Sequence, residues 1–254
     1  MNIVLKSKPS WLLALLLFVC FSVPASGRAQ QVKALHYLRA GQPDVVELLP
    51  PPPLPDSAEQ AADMASVVAV CHGCSTNDAA LALAEKKFSV ANFAPALGEC
   101  AQPGKLPKTD ALLEHTQKDA AAVVDAAKDY WKRPRPFTIN PSLASGKLEK
   151  SFGYPSGHAT EGMAVALVLA ELFPNQREAV LAIGRNLGWH RVCLGRHYPT
   201  DIYAGRVVAR AIVREMKTNP EFQRDFAQAK AEISTLARTE AAPSQIAVPA
   251  APAR

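Results

Sequence analysis

The sequence predicts an all-α protein, a single-domain helical bundle, and three observations carry that reading. Apolar residues recur at three- and four-residue spacing through most of the chain, no stretch alternates as a strand would, and 254 residues less a leader suffice for one substantial core.

The leader comes first. A basic start (Lys6, Lys8), an apolar run from Trp11 to Val23 and the small-residue stretch Pro24-Ala25-Ser26-Gly27-Arg28-Ala29 predict a signal peptide over 1–29. The apolar run falls short of the roughly 20 residues of a membrane span, so cleavage and a periplasmic or secreted product are expected. No later stretch reads as a span: 164–173 is interrupted by Glu171 and stopped by Pro174-Asn175, so no membrane association is expected after cleavage. Loss of the leader removes three of 28 Lys+Arg and none of 23 Asp+Glu, lowering the net charge from +5 to +2. That balance argues against a nucleic-acid partner, which would need a clustered basic excess.

Residues 30–56 form a Pro-rich N-terminal arm, expected to be extended because Pro50-Pro51-Pro52-Pro53 cannot be helical. The domain then runs over 57–238, with helices predicted at 57–70, 78–90, 109–132, 158–173, 176–194, 199–217 and 220–238. Asn219-Pro220-Glu221 and Pro199-Thr200-Asp201 are helix starts, with Pro in the first turn and an acid facing the dipole. The segment 138–154, rich in Pro, Ser, Gly and Lys, reads as a loop, and the Ala-Pro-rich tail 239–254 as disordered.

Four cysteines follow the leader: Cys71, Cys74, Cys100 and Cys193. In an oxidising compartment they predict one or two disulfides, with connectivity open. Cys71-His72-Gly73-Cys74 has redox spacing, but Ser75 stands where a haem-attachment motif needs His. No second CxxC or helically spaced His pair supports zinc, so the cysteines are read as structural and no metal is expected.

Three short segments carry the chemistry. Lys128-Asp129-Tyr130-Trp131-Lys132-Arg133-Pro134-Arg135-Pro136 closes a helix with basic charge, which alone is ordinary dipole complementation. Pro155-Ser156-Gly157-His158 opens a helix, with N–H groups, a hydroxyl and a Cβ-free approach suited to an oxyanion; alone it would be a plain Ser cap. Arg191, His197 and Asp201 stand six and four residues apart, so a carboxylate one turn from an imidazole can fix its tautomer and free the other nitrogen to attack.

Together, Lys128-x6-Arg135-Pro136, Pro155-Ser156-Gly157-His158 and Arg191-x5-His197-x3-Asp201 resemble the three-part signature of the phosphatidic acid phosphatase type 2 superfamily, which includes vanadium haloperoxidases. Tyr37-Leu38, Leu48-Leu49 with the proline run, and Asp56-Ser57 resemble the arm of class A bacterial nonspecific acid phosphatases. The resemblance implies the helical bundle of the acid phosphatase/haloperoxidase type. It further implies hydrolysis of small phosphate monoesters through a phospho-histidine, without cofactor or metal, possible phosphotransfer to alcohols, and a homo-oligomer. By the same resemblance His197 is the nucleophile, Asp201 orients it and His158 is the general acid, while Lys128, Arg135, Ser156, Gly157 and Arg191 bind phosphate. His190 departs from the family's usual Ser before the motif Arg and is expected to pack. Lys132, Arg133 and Arg196 lie off the motif and are expected to be surface charge or electrostatic attraction for anions. A haloperoxidase, a lipid phosphatase and a pure phosphate-binding module are the rivals. Chain length, the missing spans and the His197–Asp201 spacing argue against each in turn.

Overall fold

The computed structural model describes residues 35–85 and 87–241; the expected leader, the first part of the expected arm and the tail beyond 241 lie outside them. Ten α-helices follow in order: α1 (Val45–Leu48), α2 (Ala58–Gly73), α3 (Thr76–Ala84), α4 (Ala94–Leu97), α5 (Pro107–Trp131), α6 (Pro136–Ile139), α7 (Gly157–Leu172), α8 (Arg177–Cys193), α9 (Pro199–Met216) and α10 (Pro220–Ala241). No strand occurs among the described residues, as the missing alternation predicts.

Local chemistry sets the helix starts. Ser57 and Ser75 cap α2 and α3 by accepting from the N–H groups of Gln60 and Asp78, each at 3.1 Å. Proline opens α5, α6, α9 and α10, where the missing donor costs nothing.

Three segments differ from the sequence reading, the first being the start of the tail expected to be disordered over 239–254, where α10 continues to Ala241. The helix expected over 78–90 runs over Thr76–Ala84 instead, because Glu85 and Phe88 are claimed by tertiary contacts. The Glu85 carboxylate bonds His190, while Phe88 is buried and its N–H donates to Gln117 Oε1 at 2.9 Å. The arm is extended only in part. Asp44 caps the short α1, and the backbone N–H groups of His36, Tyr37 and Leu38 all donate to the buried Asp119 carboxylate on α5.

Helix α7 is the axis of the bundle, with Ala164, Val165, Ala166, Val168 and Leu169 all fully buried beneath α5, α8 and α9. Its partners approach closely through glycine. A Cβ at Gly184 of α8 would lie 2.4 Å from the Ala166 Cβ, and one at Gly205 of α9 would lie 2.7 Å from the Ser156 carbonyl oxygen. These approaches bring the C-terminal end of α8 and the N-terminal end of α9 up to the N-terminus of α7. A second apolar cluster, with Val67, Leu143, Ala159, Val192, Tyr198 and Ile202, fastens α2 beneath that junction.

One disulfide joins Cys74 to Cys193, with Cα atoms 5.6 Å apart, across 119 residues of sequence. The Cys71-x-x-Cys74 pair is therefore not closed on itself: Cys71 remains a thiol whose Sγ donates to the Val192 carbonyl, and burial pushes its pKa up. Among the described residues no single helix is long and apolar enough to cross a membrane, although α2 and α3, bent by 108° at their junction, pass that test as a pair.

Candidate active site

The three segments converge at the N-terminal end of α7. Lys128, in the last turn of α5, is buried and reaches across, so that a Cβ at Gly157 would stand 3.4 Å from its Nζ. Ser156 caps α7, its Oγ accepting weakly from the Ala159 N–H at 3.4 Å, and its own N–H donates to the Asp201 carbonyl at 3.0 Å. Free helix N–H groups, a hydroxyl and an ammonium thus face one spot, which is the arrangement an oxyanion requires.

His197 and Asp201 are both buried and meet as their spacing predicts. Asp201 Oδ2 is 3.1 Å from His197 Nδ1 and also accepts the Tyr198 N–H at 3.0 Å. On the other edge of the imidazole, Arg135 Nη1 lies 3.0 Å from Nε2. An arginine can only donate, so Nε2 carries its lone pair and Nδ1 its proton, pointed at the carboxylate. Burial, with the charges of Arg135 and Lys128, holds the His197 pKa well below its ordinary value.

His158 and Arg191 are held from another side, by Ala82 in α3 and by Glu85 just after it. His158 Nε2 is 3.1 Å from the Glu85 carbonyl oxygen. Burial first, then the positive charge of Arg191, lowers its pKa to about 4. Arg191 donates to the Ala82 carbonyl and lies 3.7 Å from Glu85 Oε2, while its buried Nε has no hydrogen-bond partner. His190, expected to pack, makes a polar contact instead, its Nδ1 2.7 Å from Glu85 Oε1.

Arg133 and Arg196 are not surface charge; both are buried. Arg133 Nη1 contacts Asp201 Oδ1 at 2.5 Å and Thr200 Oγ1 at 2.7 Å, and its Nη2 contacts Asp63 Oδ2 at 2.7 Å and Gln60 Oε1 at 2.6 Å. Its guanidinium also lies over the Tyr198 ring, 4.1 Å from the centroid. Burial raises the Asp201 pKa and Arg133 opposes that shift, which makes Arg133 the counter-ion of the dyad. The reason for its burial is local: Lys132 ends α5 in the left-handed region at φ 48°, which turns the next residue inward and leaves Lys132 exposed. Arg196 instead binds Glu149 Oε1 at 2.9 Å.

Glu85, Glu149, Asp63 and Arg133 escape the sequence reading, and the acids carry no signal in the chain because each arrives from a separate segment. A further group, His36, His115 and Asp225, has one potential ligand atom from each residue within 4.8 Å of the others. Its two imidazoles stack at 3.7 Å, and Tyr37 Oη already donates to Asp225. It lies thirteen residues up α5 from Lys128, about 20 Å away, and takes no part in this site.

A family model described as the PAP2 superfamily matches residues 120–224. The chain is 33% identical over 227 residues to a non-specific acid phosphatase of Providencia stuartii, a match covering 85% of this chain and 91% of that protein. It is 30% identical over 246 residues to an acid phosphatase of Zymomonas mobilis, covering 88% and 92% respectively. Among solved structures, a transmembrane PAP2-type phosphatidylglycerolphosphate phosphatase from Bacillus subtilis aligns with a TM-score of 0.46 at 17% identity, over 65% of this chain and 87% of that one.

Proposed function

Because the chain belongs to the PAP2 superfamily and is an acid phosphatase of the non-specific class A type, we propose that it hydrolyses small phosphate monoesters through a phospho-histidine formed on His197. The observation that carries this reading is the His197 ring itself, buried with a carboxylate on Nδ1 and only a cation on Nε2.

Nε2 attacks phosphorus, and the P–O bond to the alcohol breaks. Asp201 accepts the Nδ1 hydrogen bond of the imidazolium as it forms, and Arg133 favours the ionised form of that carboxylate against the effect of burial. Lys128, Arg135 and Arg191, with the Ser156 hydroxyl and the Gly157 N–H, bind the phosphoryl oxygens and balance the charge that spreads over them. Three fixed cations supply what metal ions supply elsewhere, so no cofactor is required.

His158 protonates the departing oxygen. Burial is the main cause of its pKa near 4, and Arg191 and Lys128 lower it further; the negative charge of a phosphate beside those two cations offsets their part and raises the pKa towards the working range. Water then attacks phosphorus, with His158 as base, and releases phosphate. An alcohol in place of that water gives phosphotransfer. The leader supports a periplasmic or secreted site of action, and the family resemblance supports a homo-oligomer.

The test is hydrolysis of p-nitrophenyl phosphate at acid pH in excess EDTA by the mature protein and by His197→Ala. Turnover by the wild type alone, with acid-stable trapping excluded and a phosphoryl group recovered under alkaline quench, is the expected result. Loss of wild-type activity in EDTA overturns the metal-free mechanism, and undiminished turnover by the variant overturns the nucleophile.

A further inference from the structure

Glu149 sits in the loop between α6 and α7, outside all three motifs, yet its carboxylate enters the anion cage. Oε1 pairs with Arg196 Nη1 at 2.9 Å, and Oε2 lies 3.8 Å from Arg135 Nη1, the same nitrogen that contacts His197 Nε2. Oε2 is buried and has no hydrogen-bond partner. The charge of Glu149 is felt by Lys128, Arg135, His158, Arg191 and His197, which are the proposed nucleophile, general acid and three phosphate-binding cations, drawn from α5, α7, α8 and the turns before α6 and α9.

An anion in that position competes with phosphate. We propose that Glu149 is a specificity-determining residue whose carboxylate stands where a phosphoryl oxygen would bind, so that the site favours singly charged over doubly charged phosphate monoesters. The inference rests on the phosphate-binding reading of the cage.

The physical chain is short. A phosphate monoester loses its second proton near pH ~6. Burial raises the Glu149 pKa, but Arg135 and Arg196 outweigh that and bring it below the ordinary carboxylate value, which favours the charged form. A dianion entering the cage therefore meets a fixed negative charge at close range, and a monoanion meets less repulsion. The preference for acid pH then arises at substrate binding, separately from the protonation of His158.

Calorimetric binding of inorganic phosphate to the wild type and to Glu149→Gln, near pH 5 and near pH 7.5, tests this without relying on turnover. The variant should bind about tenfold more tightly near pH 7.5 and less than about threefold more tightly near pH 5, with the KM for p-nitrophenyl phosphate following the same pattern. Equal affinities at both pH values overturn the inference alone. Weaker binding by the variant at both also overturns it, since the carboxylate would then be supporting Arg135 and Arg196. Failure of the wild type to bind phosphate at either pH overturns the reading of the cage itself.

Discussion

The dyad shows how far a single residue's role depends on its neighbours. His197 and Asp201 are legible four residues apart, because one helical turn brings their side chains together wherever the helix lies. Arg133 is not, since nothing in Lys132-Arg133 tells which of the two turns inward. Buried between Asp63 and Asp201, it acts as a positioning residue through the carboxylate and touches no phosphate. Arg133→Met should leave two buried carboxylates without their cation and lower stability by about 3–5 kcal/mol. It should also cut kcat about a hundredfold with little change in KM, because a loosened Asp201 misplaces the imidazole while the phosphate ligands remain. Arg133→Lys should recover part of kcat. Steady-state kinetics on folded protein below its melting transition decide the matter, and a kcat within twofold of wild type for the Met variant would remove Arg133 from the mechanism.

Among elements, the α7–α8 contact decides whether the two walls of the site face each other. Periodicity finds both helices to within about two residues at each end, as an apolar face must repeat every three to four positions. It does not find their separation. That is set by Gly162, Gly184 and Gly188, whose missing side chains let the backbones approach. Gly184→Ala places a methyl 2.4 Å from the Ala166 Cβ, between two helices with no room to yield. It should cost about 1–3 kcal/mol by chemical denaturation. Gly73→Ala, whose added Cβ would meet nothing within 4 Å, should be near neutral and serves as the comparison. The helix expected over 78–90 fails for the opposite reason: its apolar pattern is sound, but Glu85 and Phe88 gain more from His190, Gln117 and the core than from another helical turn.

For the whole molecule, long-range ties hold the site closed. The Cys74–Cys193 bridge joins the C-terminal end of α2 to the end of α8, two residues past Arg191. Closing so long a loop restricts the unfolded chain, so Cys74→Ser with Cys193→Ser should lose about 2–5 kcal/mol and melt lower, as the reduced wild type should. An unchanged melting temperature would show that packing alone holds that end. The sequence by itself determined the helical class, the order of helices, the family and the residues proposed for chemistry, because periodicity and motif spacing are local and survive in one dimension. Only the tertiary structure decided which cysteines pair, which arginine backs the dyad, and which carboxylates, Glu85 and Glu149, enter the cage. Those outcomes depend on distances between segments far apart in the chain, and such distances are set by packing around α7 and by backbone turns such as Lys132, which no local pattern records.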